Sequence, residues 1–539
     1  MPSVPGLRNP RKLGYGIVMS RRILLPLLTI LVLSGATFGG LMLSSSPTSW
    51  DDGLRHITMA RVMREEGVNQ TWDRFLFGGY LSEHKVDPWF LADVSYIPFT
   101  IFSDAVALKL YAAIAMAALF FALWYIIAPL KLPATWVTVL LLLVFLMPGF
   151  YGRLLLARPF VWSTIFALLA LDAVLRRRWI SLGIVLCVAT LFSQLFIFSL
   201  AFGVIGIGWL LTLGDRRSAA RGLMSITLGT IAGVALHPHP FAYVQYIATV
   251  FLRIPFEAHT LNLGSEMYPG FFEGAVPTAI LGSMALLYAG AYADGMRLKL
   301  SDLHRDGTLL IAALTIGFFV VYIAAWSRII DFVLPLLIFL FARFLKHIEP
   351  FARALFAVPI GSMRTHGMRI HGGMLLAVFL GIAAIHSIAN ASLHFYKTED
   401  DRSLAHAVAL SALPTGSRVL NPEWFLFPFF VQANPQLRFA TGIDNTFTAV
   451  YDREAYQLLE VTFSPAASLD RPVVDTRAWI GQLLEYFPSD YLVLSNGRGK
   501  NLLPLLRETS GLTELTESGA KIEVFGIGKE LNPSINLQK

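Results

Sequence analysis

The chain has 539 residues, 55% of them hydrophobic and 15% charged, with a net charge of +7 and one cysteine, Cys187. An ordinary soluble domain is about 45–50% apolar and about 25% charged, and the apolar excess here comes in runs of roughly 17–25 residues, enough to cross a ~30 Å hydrocarbon core. That composition excludes a soluble globular protein, the lone cysteine excludes an intramolecular disulfide or a cysteine metal cluster, and the basic residues fall in loops between apolar runs, where the positive-inside rule accounts for them without nucleic acid.

Residues 1–22 form a basic tail. The first apolar run, Ile23 to Leu43, follows Arg21 and Arg22. It is long for the core of a signal peptide and lacks an A-x-A cleavage site, so it reads as a retained anchor.

The next stretch, 44–97, breaks the apolar pattern. It holds Asp51, Asp52, Arg55, His56, Asp73, Glu83, His84, Asp87 and Asp93, flanked by Trp50, Trp72 and Trp89. Charge gathered beside a bilayer among tryptophans reads as a reaction site at the membrane surface. Asp51 and Asp52 head a helical run, DDGLRHITMARVMREEG, closed by Gly67. Leu54, Ile57, Ala60 and Met63 fall on one side, as in a helix lying in the interface. Asp52, Arg55 and His56 share a face by i, i+3, i+4 spacing.

Two readings of the acids stand. Ser49 or an aspartate caps the helix and favours its positive end, or a carboxylate beside a cation and an imidazole binds an ion or takes a proton near a phosphate. Capping needs one acid only and gives no reason for Arg55 and His56. In SEHKVDPWFLAD, Glu83, His84, Asp87 and Asp93 sit where the chain returns to the membrane. Oxygen and imidazole groups suit Mg²⁺ or Mn²⁺, although the spacing matches no specific metal motif. The other reading is a solvated loop in which Asp87 makes a turn before Pro88. Both stand for Asp87; for Glu83 and Asp93 the solvated loop is the expectation.

Further apolar runs at about 104–128, 132–149, 154–175, 178–194, 196–213, 220–236, 274–293, 307–325, 328–346 and 372–391 bring the candidate spans to eleven. Lysine and arginine concentrate in alternate loops, which places the N-terminus in the cytoplasm and the first loop and C-terminal segment outside. Arg158, in LLLARPF, starts the fourth span and Arg328 opens the tenth. An arginine in or near hydrocarbon needs a partner or a wet cavity, and its fork suits phosphate; for Arg158, snorkelling to the headgroups is the other reading. The second long outer loop, 237–273, contains HPHPFAYVQY and LNLGSEMYPGFFEG. Its prolines and glycines argue against one continuous helix. His237 and His239 are expected to end a helix rather than hold a metal, and Glu266 is an external acid with a candidate role. Beyond about Tyr396, helical runs such as TRAWIGQLLEYF alternate with the strand-like SRVLN, DYLVLS and KIEVFGIG. That pattern predicts a small α/β domain over 396–539.

These residues resemble the GT-C glycosyltransferase superfamily, which includes oligosaccharyltransferase catalytic subunits and protein mannosyltransferases and uses polyprenyl-phosphate-linked sugars. DDGLRHITMAR, TWDRF, VDPWFL, SRIIDFVLP and NPEWFLFPFFVQANPQLRFATGIDNTF are similar to segments of poorly characterised bacterial members. The similarity covers the first loop, one late helix and the tail. It implies that Asp51 or Asp52 is the first-loop acid meeting the acceptor or a metal, that Asp87 is the second, and that Arg328 contacts the donor phosphate. Asp331, three residues on, would pair with Arg328 or orient it. LNLGSEMYPG faintly resembles the acidic external-loop motif of oligosaccharyltransferases, and no WWDYG-like motif is found.

The expectation is therefore an α-helical polytopic membrane protein, GT-C-like, with a transmembrane region over 23–395 and a small extracytoplasmic α/β domain, in a bacterial inner membrane. It would move a sugar from a polyprenyl-phosphate donor to a glycan, lipid or protein acceptor, with no nucleic acid involved. Asp51, Asp52 and Asp87 are the expected catalytic acids; Arg55, His56, Arg158, Arg328 and Glu266 are expected to bind substrate. Asp52 and Asp87 are the candidate ligands for Mg²⁺ or Mn²⁺. The rivals are a transporter or scaffold of polysaccharide export and a lipid-linked glycan polymerase or ligase of another fold. Transporters commonly carry paired repeats with helices broken at the midplane, whereas here the acids gather in one external loop.

Overall fold

A computed structural model describes residues 21–43, 52–146, 148–254, 275–324, 329–351, 385, 408–443, 445–460, 476–495, 502–517 and 520–531. The described chain is mostly helical. Ten of the eleven expected apolar runs coincide with helices, and the eleventh, 372–391, lies outside the described residues apart from Ile385. Among the described residues, three helices are by themselves long and apolar enough to cross a membrane: α1 (Arg21–Leu43), α5 (Asp104–Ile127) and α11 (Arg216–Leu236). Helices α8 (Phe160–Leu175), α9 (Trp179–Phe192) and α10 (Phe196–Thr212) are shorter and pack between them. The helix Ile330–His347 buries nearly every side chain and forms the centre of the bundle.

Two expected spans depart from the sequence reading. The run 132–149 divides into α6 (Ala134–Leu142), a 3-10 turn at Leu143–Leu146 and α7 (Pro148–Leu154). Pro148 has no N–H to continue the preceding helix but fits the first turn of a new one. The fourth helix starts at Phe160 rather than 154, because Ala157 takes a left-handed φ of 52° and Pro159 occupies the cap. Arg158 consequently sits in a tight turn, not in a helix.

Helix α2 (Gly53–Glu66) also differs from expectation. It does not lie amphipathically in an interface: residues from Gly53 to Ala60 are buried on every face, Arg55 and His56 included. It is enclosed by α4 (Phe90–Tyr96), the turn Ile97–Ile101 and the helix Phe427–Ala433 from the C-terminal segment. Gly67 closes it as expected, with a φ of 100° and its N–H on the Met63 carbonyl.

The C-terminal segment contains a five-stranded sheet of order β2-β1-β3-β5-β4. Strands β1 (Arg418–Leu420), β2 (Arg438–Phe439) and β3 (Tyr491–Ser495) run parallel, while β4 (Leu512–Glu514) and β5 (Ile522–Ile527) are antiparallel neighbours. The sheet does not end at β2. Leu76 of the first loop bridges to Phe439, with Phe77 N–H donating to the Phe439 carbonyl at 3.1 Å and Phe439 N–H to the Phe75 carbonyl at 2.7 Å. Arg438 reinforces the junction through donations to the Asp73 and Leu76 carbonyls, each 3.1 Å. The loop thus covers an edge that would otherwise expose unpaired backbone. Loop and sheet share one core.

Gly78 makes this approach feasible. A Cβ there would stand 2.6 Å from the Phe487 ring and 2.7 Å from the Ala440 carbonyl. Gly78→Ala should lower stability by about 1–3 kcal/mol through overpacking, read as a lower melting temperature of the detergent-solubilised protein. An unchanged melting temperature would contradict the close loop–sheet seam.

Candidate active site

Asp52 stands at the N-cap position of α2, yet its carboxylate makes no capping hydrogen bond. Only its carbonyl serves the helix, accepting from the Arg55 and His56 N–H groups at 3.1 and 3.2 Å. The carboxylate turns to cations: Oδ2 lies 3.2 Å from Arg55 Nη2 and 3.8 Å from Arg158 Nε. The side chain keeps 26% exposure, against 3% for Arg55 and 15% for Arg158.

The turn carrying Arg158 is brought to Asp52 by close packing. Gly53 abuts it so tightly that a Cβ would lie 3.4 Å from both Ala157 Cβ and the Leu156 carbonyl, and 3.1 Å from Leu108. Tyr96 Oη donates to the Ala157 carbonyl, fixing the left-handed residue before Arg158. Tyr96 is itself held by a stacked Tyr111 at 3.7 Å.

Beneath Asp52 lies a layer sealed from water. The Arg55 guanidinium sits 4.5 Å from the Trp89 ring centroid and 5.7 Å from that of Trp72. Such faces attract a desolvated cation. Arg55 Nε and Nη1 have no hydrogen-bond partner among the described residues. His56 Nδ1 meets Asp93 Oδ1 at 2.5 Å, with both side chains fully buried, and its ring stacks on Tyr96 at 5.8 Å. Burial, then the Arg55 charge, holds the imidazole well below its usual range. Burial, then the neighbouring Asp87, pushes the Asp93 carboxyl well above its own. Both shifts share one cause, burial, which disfavours the charged form of each group.

Asp87 is 1% exposed. Its Oδ1 accepts from Trp72 Nε1 at 3.1 Å and from the Trp89 N–H at 2.9 Å. Burial pushes its pKa up to about 6, opposed by those two hydrogen bonds. Its carbonyl accepts from His237 Nε2 at 2.9 Å, while His237 Nδ1 accepts from the His239 N–H at 3.0 Å. His237 is thereby the clasp between the second outer loop and Asp87. The helix α12 (Pro240–Ala248) starts just beyond it, so the prolines do interrupt the helix as expected.

The structure thus brings together Asp52, Arg55 and Arg158, and separately seals His56 and Asp87. The last two, expected in substrate binding and catalysis, are 0% and 1% exposed in this structure. Asp51, Glu266 and Arg328 lie outside the described residues. Asp331 receives both arms of Arg153, at 2.8 and 2.7 Å, a fork from a residue 178 positions away that the pairing with Arg328 did not anticipate. Asp93, expected in a solvated loop, is instead fully buried. Its signal was its place as the one charge inside the apolar helix FLADVSY.

Nor do Asp52 and Asp87 fit a resident Mg²⁺ or Mn²⁺. Asp52 already faces two guanidiniums, and Asp87 is closed off with one oxygen taken by two N–H donors. Among the described residues no group of three or more His, Cys, Asp or Glu side chains is disposed to hold a metal ion.

Asp87 supplies a pH test. Its carboxyl has an ordinary value of 3.8 and titrates near 6 in the fold. Between those values the folded state binds more protons, so stability falls as pH rises through the window and levels off above it. Asp93, raised in the same direction, extends the fall upward. Asp87→Asn keeps the accepting oxygen and removes the titration. Melting temperature measured from pH 4 to pH 6.5 should therefore fall less steeply in the variant, by up to roughly 3 kcal/mol in stability. Equal slopes would contradict a buried, proton-holding Asp87.

No protein-family model and no curated protein matches the chain. Solved structures do. The crystal structure of ArnT from Cupriavidus metallidurans in the apo state covers 94% of this chain and 98% of its own, at 14% identity and a TM-score of 0.50. The same protein bound to undecaprenyl phosphate aligns with the same identity and coverage at a TM-score of 0.48. ArnT is a GT-C glycosyltransferase. The likeness to the apo structure extends along nearly the whole length, and the chain shares the fold of ArnT.

Proposed function

We propose that the protein transfers a sugar from a polyprenyl-phosphate-linked donor to a hydroxyl of a glycan, lipid or protein acceptor at the outer face of the membrane. The observation that carries this reading is the Asp52 carboxylate, which caps nothing, keeps access to solvent and is flanked by two guanidiniums. The fold shared with ArnT, a protein crystallised with undecaprenyl phosphate, agrees with it.

The chemistry is a displacement at the anomeric carbon of the donor. The acceptor oxygen forms a bond to that carbon as the bond from the carbon to the phosphate oxygen breaks. The acceptor proton passes to the Asp52 carboxylate, acting as general base. The electron pair leaves on the polyprenyl phosphate, whose developing charge Arg158 meets. At 3.8 Å the Arg158–Asp52 contact is longer than the ~2.7–2.9 Å of a charge-assisted hydrogen bond. A phosphate bound by Arg158 would therefore take the place that Asp52 holds and leave the carboxylate free for the proton. Arg55, caged by Trp72 and Trp89, keeps Asp52 aimed throughout. Asp51 as a second acid, Glu266 as an acceptor contact and Arg328 as a further phosphate contact enter from the sequence, since all three lie outside the described residues.

Purified protein given a synthetic polyprenyl-phosphate sugar and acceptor tests this. Turnover per folded molecule should fall roughly 10²-fold or more in Asp52→Asn. Wild-type turnover in that variant would end the general-base assignment. Arg158→Lys keeps the charge and loses the planar fork. It should raise the KM for donor more than it lowers kcat; unchanged donor kinetics would remove Arg158 from the phosphate site.

A further inference from the structure

Where the first loop crosses onto the C-terminal segment, the chain leaves a recess that the reaction above does not use. Its wall on the loop side is Ser82 and Glu83, on the helix α3 (Tyr80–His84); opposite stand Thr448, Tyr451, Asp452 and Tyr486. The recess follows from local geometry. Gly78 presses against Phe487, and Gly79 turns the chain with a φ of 78°, its Cβ position 3.5 Å from Thr448 Oγ1. The pair draws the backbone onto the sheet and lets α3 diverge, leaving a concavity with Phe77 at its base.

The lining chemistry is one-sided. Tyr451 is half exposed although large and aromatic. Glu83 is exposed and has no ion-pair partner among the described residues. Asp452 spends Oδ1 on the Glu454 and Ala455 N–H groups, both at 3.0 Å. Tyr486 donates to Glu454 Oε2 at 2.7 Å, which adds a third carboxylate at the rim. Among the described residues no lysine, arginine or histidine lines the recess itself, and the nearest guanidinium named against its lining, Arg418, lies 5.6 Å from the Phe77 ring centroid. Carboxylates and hydroxyls accept and share hydrogen bonds with sugar hydroxyls, and aromatic faces pack on the C–H faces of a pyranose or attract an ammonium. The same groups repel phosphates and uronates.

We propose that this recess is a subsite for a neutral or amine-bearing sugar of the acceptor, away from the hydroxyl that reacts. Its role in catalysis rests on the reading of the protein as a glycosyltransferase with a glycan-bearing acceptor; binding itself does not. The junction position fits that role, because α3 leads directly into the return segment that carries Asp87 and Asp93.

Binding is measured on the full-length protein in detergent, without donor, by saturation-transfer NMR and calorimetry with three probes. These are the trimers of N-acetylglucosamine, of glucosamine and of galacturonic acid. The first two should bind, and the anionic trimer at least about tenfold more weakly. Tyr451→Ala should weaken both binders about five- to tenfold, whereas Tyr451→Phe, which keeps the ring, should bind nearly as wild type. Glu83→Gln should reduce the glucosamine trimer selectively. Because the probes are bound without donor and no turnover is read, loss of the enzymatic reading leaves this test standing. Absence of binding by both uncharged and amine-bearing trimers, equal binding of galacturonate, or affinity indifferent to Tyr451→Ala and Glu83→Gln would each overturn the subsite.

Discussion

A guanidinium almost closed from water has to be compensated where it lies, and the compensation of Arg55 organises the first loop and the segments that cover it. An unpaired buried charge is severely destabilising. Arg55 is met by Asp52 on one side and by the faces of Trp72 and Trp89 on the others. Each wall has its own support. Trp72 donates to Asp87, whose carbonyl is clasped by His237, and its ring meets Phe427 of the C-terminal segment at 6.2 Å. The fully buried Asp93–His56 contact fills the remaining space. The outcome is a carboxylate at Asp52 fixed in direction yet still reachable from outside. Pre-organisation of that kind is what proton transfer at a displaced phosphate requires.

The C-terminal sheet belongs to this arrangement rather than being appended to it. The segment Phe75–Phe77 continues the sheet beyond β2, and the helix Phe427–Ala433 covers α2. The first loop cannot hold its conformation alone, since its helix is buried on all faces and needs residues more than 350 positions away to cover it. Active-site geometry and tail folding are therefore coupled.

Much of this was legible in the sequence because its physics is local. Ten apolar runs coincide with helices, although 132–149 is divided and 154–175 starts late, and the strand-like runs became β1, β3 and β5. The i, i+3 spacing put Arg55 on Asp52. What escaped was non-local or depended on burial. Nothing in FLFGG announces a partner at Phe439, and Arg153 and Asp331 are 178 residues apart. Arg158 was recognised as an odd charge near hydrocarbon, but its approach to Asp52 depends on the Gly53–Ala157 contact. The amphipathic stripe of α2 was real in the sequence and still misleading, because tertiary cover from the tail buries the polar face as well. Asp93 and Asp87 look alike as written, and only enclosure distinguishes a solvated acid from one that keeps its proton.

The exchange of partners at Arg158 is the centre of this account, and a structure of the protein with a polyprenyl phosphate bound tests it most directly. The phosphate should lie within hydrogen-bond reach of Arg158, and the Asp52 carboxylate should remain on Arg55 while separating further from Arg158 than the present 3.8 Å. A phosphate bound elsewhere, with the Asp52–Arg158 contact unchanged, would contradict it.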